Sequence, residues 1–205
     1  MRQSAVAWCF LLCIISACVP RSERPLSDPA TARPDPRLLG TWIGRNVDGE
    51  GPVWLHFVEG EKFATEIVMV CPEAGKGADT SFYVMHPTLT VRHSYMNVRS
   101  FVPTNLLSLK VGEDLKYPKP EGYLLCKYEI TSEGILKIWL LNEDIGEAIQ
   151  QGRIKGEVRK DEYTKDIVIT ESTENLLQFF ERENHRGFFQ LFLICRKVEE
   201  KLPQP

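Results

Sequence analysis

Four histidines, six cysteines and scattered carboxylates are the residues of this 205-residue chain that could carry acid–base, nucleophilic or metal chemistry. His56 lies in the alternating run Trp54–Leu55–His56–Phe57–Val58, which puts its imidazole on a strand face beside Trp54, as a structural residue. His86 and His93 flank another strand segment and could bind a metal together with Glu66 or Asp79. No H-x-H, H-E-x-x-H or C-x-x-C spacing supports such a site, so no metal, cofactor or catalytic residue is assigned. Cys126 and Cys195 alternate with apolar residues in the manner of small buried hydrophobes. Together with Cys71 they leave three thiols in the body, two of which could pair in an oxidising compartment. Glu143, Asp144, Glu147 and Glu157 surround a short helix, and the dipole of that helix accounts for carboxylates in its first turn. Gly75–Lys76–Gly77 lacks the strand–loop–helix setting of a phosphate cradle, and no G-x-S-x-G, Walker or dinucleotide fingerprint occurs.

The bulk composition is globular: 43% hydrophobic, 10% aromatic and 26% charged. A net charge of -3 gives no basic field for nucleic acid, and Arg92, His93 and Arg99 among Tyr95 and Phe101 read as a solvated strand face. The apolar residues are concentrated at the N-terminus. After Arg2, residues Ala5 to Ile15 are uninterrupted apolar, too short a run for a spanning helix of about 20 residues but the layout of a secretory signal. Ile15–Ser16–Ala17–Cys18 resembles the lipobox of bacterial lipoproteins, an aliphatic residue and two small ones before an invariant cysteine. Cys9 and Cys13 fail that pattern, because Trp8 and Leu12 precede them. The resemblance implies a diacylglycerol on Cys18 and acylation of its freed amine, and two or more acyl chains anchor stably at about 0.8 kcal/mol per buried methylene. Val19 rather than Asp follows Cys18, which by the enterobacterial sorting resemblance favours the outer membrane.

The chain thus divides into a signal peptide at 1–17, a lipidated cysteine with a Pro-rich tether at 18–37, and one β-rich domain at 38–205. The tether carries Pro20, Pro25, Pro29, Pro34 and Pro36 and no periodic apolar face, so an extended spacer several nanometres long is expected. The body is expected to be mainly β (α+β), an antiparallel barrel-like or strongly curved sheet with two packed helices. Strand runs are read at 42–43, 53–58, 63–70, 82–85, 88–93 and 95–101, then 154–159, 166–170 and 190–198. Tyr123 to Ile130 and Ile135 to Leu141, joined by Thr131–Ser132–Glu133–Gly134, form the clearest hairpin. One helix follows Asn142 and ends before Gly152; another runs from Ser172 to Asn184 with Leu176, Leu177, Phe179 and Phe180 on its apolar side. Cys71 to Thr80 and Pro103 to Gly122 are loop candidates.

Gly40–Thr41–Trp42 resembles the G-x-W start of lipocalin-like barrels, where a Trp closes the barrel base under a basic residue of the last strand; Arg196 is the candidate partner of Trp42. The helices after Leu141 and Thr170 depart from that family's regular strand series. A wider resemblance, to uncharacterised Gram-negative lipoproteins, rests on GTW, GPVWLHF, YMNVRSF, the YLLCKYEI and LKIWLLN hairpin, GRIKGEV and ITESTENLLQFFE. It implies an envelope location and a fold, not a chemistry. The expected function is a non-catalytic module, lipid-anchored in the envelope and facing the periplasm. It would bind a small apolar ligand or an envelope protein through Trp54, Tyr83, Tyr95 and Phe101. A structural or assembly accessory of the envelope is the alternative, and a hydrolase using a histidine with a carboxylate is the second.

Overall fold

A computed structural model of the chain describes residues 19–47, 51–60, 64–73, 77–101, 122–160, 165–182 and 187–199. Eight of its strands close into an antiparallel barrel: β2 (Gly40–Asn46), β3 (Pro52–Glu59), β4 (Thr65–Glu73), β5 (Gly77–Leu89), β6 (Ser94–Phe101), β7 (Tyr123–Ile130), β8 (Ile135–Leu141) and β11 (Phe189–Lys197). Neighbours in sequence pair from β2 to β8, and β11 then seals the gap between β8 and β2. Closure removes the free edges that an open sheet would expose. Three further strands, β1 (Arg21–Ser22), β9 (Gly156–Lys160) and β10 (Lys165–Ile169), extend from β7 outside the barrel. Helices α1 (Ile145–Gln150) and α2 (Thr173–Arg182) lie in the long excursion between β8 and β11. The mainly β architecture, the barrel and the two helices are those the sequence predicts.

The period-2 alternation of each strand sorts its side chains into two cores. Inward rows supply Trp42, Leu55, Phe57, Ile67, Met69, Met85, Met96, Val98, Cys126, Tyr128, Leu136, Ile138 and Cys195, which fill the barrel. The outward rows of β6, β7 and β8 are also apolar, because an outer layer covers them. Tyr95, Tyr123, Leu125 and Leu141 pack there against Ile145 and Ala148 of α1, Ile167 and Ile169 of β10, and Leu176 and Phe180 of α2. Helix α2 is capped by Ser172, whose hydroxyl accepts from the Asn175 amide at 3.3 Å. Its Glu181 accepts from Thr90 Oγ1 at 3.0 Å and from the Tyr95 hydroxyl at 3.3 Å, fastening the helix to the barrel wall.

Three segments differ from expectation. Residues 71–80 are strand on either side of 74–76: Cys71 pairs with Asp79, Pro72 with Ala78 and Glu73 with Gly77. Residues 82–89 form one strand through Pro87, and the turn falls at 90–93. Both prolines sit where their strand has lost one neighbour. Pairing of β4 with β3 ends at Val70, and that of β5 with β4 ends at Met85. A residue without an N–H interrupts no ladder on such an edge. Most of the loop expected at 103–122 lies outside the described residues.

The third segment is 20–37, expected as a free spacer. It instead forms a strap over the barrel wall. Its first residues are β1, parallel to β10 and antiparallel to β7. The Glu23 amide then donates to Ile169 O at 2.9 Å, and Leu26 is fully buried in the outer core. A docked strap needs no periodic apolar face; one anchoring leucine and a row of polar partners suffice.

Candidate functional site

The barrel has two unlike ends. The base gathers the entry to β2 and the β3–β4, β5–β6 and β7–β8 turns; the mouth gathers the β2–β3, β4–β5 and β6–β7 connections and the start of β11. The base is plugged. Trp42 is 1% exposed and its Nε1 donates to Leu38 O at 2.7 Å, which holds the indole across the floor. Beside it Tyr128, an inward residue of β7, donates its hydroxyl to Asp35 Oδ2 at 2.8 Å. The Arg37 guanidinium grips the same carboxylate from Nε and from Nη2, the latter at 2.6 Å. Burial opposes the charge on Asp35, but the hydrogen bonds from Arg37 and Tyr128 outweigh it and hold the carboxyl below its usual range. Burial and the adjacent carboxylate push the Tyr128 phenol up, so it stays a neutral donor. Gly44 permits the close seam between β2 and β11: a Cβ there would stand 2.7 Å from the Cys195 Cα and overlap Ile194 O.

The cation over Trp42 is Lys197, its Nζ 5.5 Å from the ring centroid, in register with Trp42 across the β11–β2 ladder. Arg196, the partner expected from sequence, pairs with Ile43 one position away and is exposed. Parity gives the reason: Leu193 and Cys195 point inward, which puts Lys197 with them and Arg196 on the opposite face. Arg196, Lys197, Glu133 and Glu199 rim an open recess of about 800 Å³ outside the base.

At the mouth the inward rows do not end buried. Cys71 of β4, Tyr83 of β5, Leu124 of β7 and Leu140 of β8 continue the inward alternation, and Phe192 sits at the bulge in β11; all five pack on the barrel core yet are only half-buried. They form a half-buried apolar collar at that end. Burial raises the Cys71 thiol and the Tyr83 phenol, so both groups are neutral there. Deeper in, burial pushes Cys126 up to about 12 and Cys195 up to about 11, which makes them inert thiols. Cys71, Cys126 and Cys195 are all free. Thr65, in the inward row with Ile67 and Met69, has its hydroxyl buried without a hydrogen-bond partner among the described residues. It lies at the base end of β4, away from the collar.

The four aromatics expected to bind together are not brought together. Tyr83 is in the collar. Tyr95 is fully buried on the outer face, 6.0 Å from Phe189 and 6.4 Å from Phe180, sealed under α2. Trp54 is half-buried on the uncovered outer wall of β3, opposite Ile43 and Val70. The strand carrying Phe101 is set by its pairing with Phe82, and its side chain lies outside the described residues. Alternation alone could have identified the collar residues Leu124 and Leu140, since each continues an inward row toward the mouth end.

The histidines have structural partners. His56 Nδ1 meets Thr41 Oγ1 at 3.0 Å on the outer wall. His86 is buried, donates from Nε2 to Ser27 O at 3.1 Å and stands edge-on to Tyr123. Burial, helped by the Arg99 charge, pushes its pKa down against the opposing pull of the Ser27 bond and Asp28. His93 stacks edge-on to Tyr95 at 6.1 Å. His185 and Cys18 lie outside the described residues. Among the described residues no group of three His, Cys, Asp or Glu side chains could hold a metal ion, and no helix is long and apolar enough to cross a membrane. Comparisons with protein-family models, with curated proteins and with solved structures find no match to this chain.

Proposed function

We propose that this protein is a lipid-anchored component of the cell envelope, acylated at Cys18 and facing the periplasm from the outer membrane, whose barrel is a non-catalytic binding module for a small apolar ligand. The half-buried collar of Cys71, Tyr83, Leu124, Leu140 and Phe192 carries the reading. With Trp42 and Tyr128 plugging one end, a ligand would enter from the collar end. Small barrels of this size hold one small ligand or none.

Titration with an environment-sensitive apolar dye tests this. Wild-type protein should give saturable enhancement, and Leu140→Lys should weaken it at least tenfold while far-ultraviolet circular dichroism is unchanged. Tyr83→Ala supplies a second collar variant. No saturable binding to folded wild type would refute the ligand-binding role. Palmitate incorporation that is lost in Cys18→Ala tests the anchor separately.

The second reading, an envelope assembly accessory, has its own observation. The wall of β11, β2, β3 and β4 left uncovered by the outer layer carries Ile43, Trp54, Val68 and Val70, with Val58 and Ile194 exposed. Crosslinking from Val58 in whole envelopes should recover one defined protein if this reading holds, and none if it does not.

A further inference from the structure

The strap changes where a lipid on Cys18 would hold the barrel. A free spacer from Cys18 to Leu38 at ~3.1 Å per residue would reach roughly 60 Å. The chain from Pro20 onward is instead pinned at three stations. At the first, β1 is inserted between β7 and β10, and Arg21 Nη2 bonds Asp166 at 3.2 Å. At the second, the Leu26 amide donates to Asn97 Oδ1 at 2.6 Å. Asn97 Nδ2 in turn donates to His86 O at 3.0 Å and to Thr88 Oγ1 at 2.9 Å, and Ser27 Oγ meets the same threonine at 2.6 Å. Asn97 is fully buried, so this station is sealed from water. At the third, Asp35 receives Tyr128 and Arg37. Prolines at 20, 25, 29, 34 and 36 restrict the undocked chain and so lower the entropic cost of docking it.

Only Val19 and Pro20 separate Cys18 from β1, and Pro20 is already buried. Three peptide steps of at most ~3.6 Å each keep the Cys18 Cα within about 11 Å of the Arg21 Cα. We propose that the docked strap seats the barrel directly on the lipid surface, with the face built by β1, β10 and β9 against the headgroups. This rests on acylation of Cys18. Among the described residues, most charges of that face are paired: Arg21 with Asp166, Lys165 with Glu143, and Arg159 with Glu157, with Lys160 of β9 exposed beside them. Such a face, with three charge pairs and one exposed lysine, fits a largely zwitterionic headgroup layer. The seating should therefore vary little with salt or phosphatidylglycerol content.

Neutron reflectometry on the full acylated protein in supported phosphatidylethanolamine–phosphatidylglycerol bilayers tests this. The comparison is a variant with fifteen Gly/Ser residues inserted between Val19 and Pro20, which leaves the strap and barrel untouched. Wild type should show protein density beginning within ~1 nm of the headgroups, and the insertion should open a water-filled gap of ~2 nm, the r.m.s. reach of a flexible chain of that length. A wild-type layer standing off by several nanometres, little changed by the insertion, would overturn the seating while leaving the anchor intact. Protein that takes up no palmitate at Cys18 and stays off the bilayer overturns the anchor, and the seating with it.

Discussion

At the scale of single residues, the base of the barrel is where small changes should matter most. Trp42→Ala removes the largest side chain of the floor together with its bond to Leu38 O, and should cost about 3–5 kcal/mol in chemical denaturation. Gly44→Ala adds one methyl group where two strand backbones touch. It should cost about 1–3 kcal/mol, more than alanine at an ordinary strand position. Asp35→Ala removes the buried carboxylate shared by the Tyr128 hydroxyl and the Arg37 guanidinium and should cost about 1–3 kcal/mol. Two pH effects follow from the same geometry. The folded pKa of Asp35 is depressed, so its contribution is complete above the unfolded value near ~4 and is lost as pH falls below it. His86 is also depressed, but as a base: the unfolded chain takes up a proton first, so stability falls as pH drops below ~6.5. His86→Gln should flatten the stability profile between pH 5 and 7, measured by urea denaturation at each pH, and an unchanged slope would refute the assignment. Lys197 shows how much a residue's role depends on parity. The inward row of Leu193 and Cys195 already contained it, whereas proximity to the end of the last strand pointed to Arg196.

At the scale of elements, the strap is the part whose behaviour was least legible. The Tyr123–Ile130 and Ile135–Leu141 hairpin was fully readable, because two dense apolar runs flank a turn ending in Gly134 at φ +72°. Helix α2 was readable from Ser172 and its spaced apolar residues, of which Leu176 and Phe180 are fully buried. The strap offers no such pattern, because its hydrogen-bond partners, Asn97, Thr88, Tyr128 and Ile169, come from distant positions in the chain. Strand 77–89 was misdivided for a related reason: Pro87 looks like a stop until the neighbouring strand is known to end before it. Docking also makes a kinetic prediction. The Leu26 amide, held by buried Asn97, should exchange hydrogen far more slowly than the exposed amide of Ala30, and Asn97→Ala should bring the two rates within about tenfold of each other. Equal rates in the wild type would show that the strap is not held.

At the scale of the whole molecule, the two cores divide the labour. The inner core closes the base and leaves a collar at the mouth, while the outer core ties the strap, β9, β10 and both helices to one side of the barrel. Tyr95 was a reasonable candidate for binding as an aromatic on a barrel strand, but it is buried under Phe180 and Phe189, which lie far along the chain. Only the assembled topology separates Tyr83, which faces the interior at the mouth, from Tyr95, which does not. The buried thiols make the inner core easy to report on. Cys126 and Cys195 should resist alkylation in the folded protein and react on unfolding, whereas half-buried Cys71 should react earlier, and a ligand at the collar should slow Cys71 alone. The most direct measurement is native mass spectrometry of the full protein after incubation with lipid extract from its own envelope. Wild type should carry one apolar molecule per barrel, displaced in Leu140→Lys. A wild-type spectrum showing only the unliganded mass, with the barrel folded, would contradict the binding role.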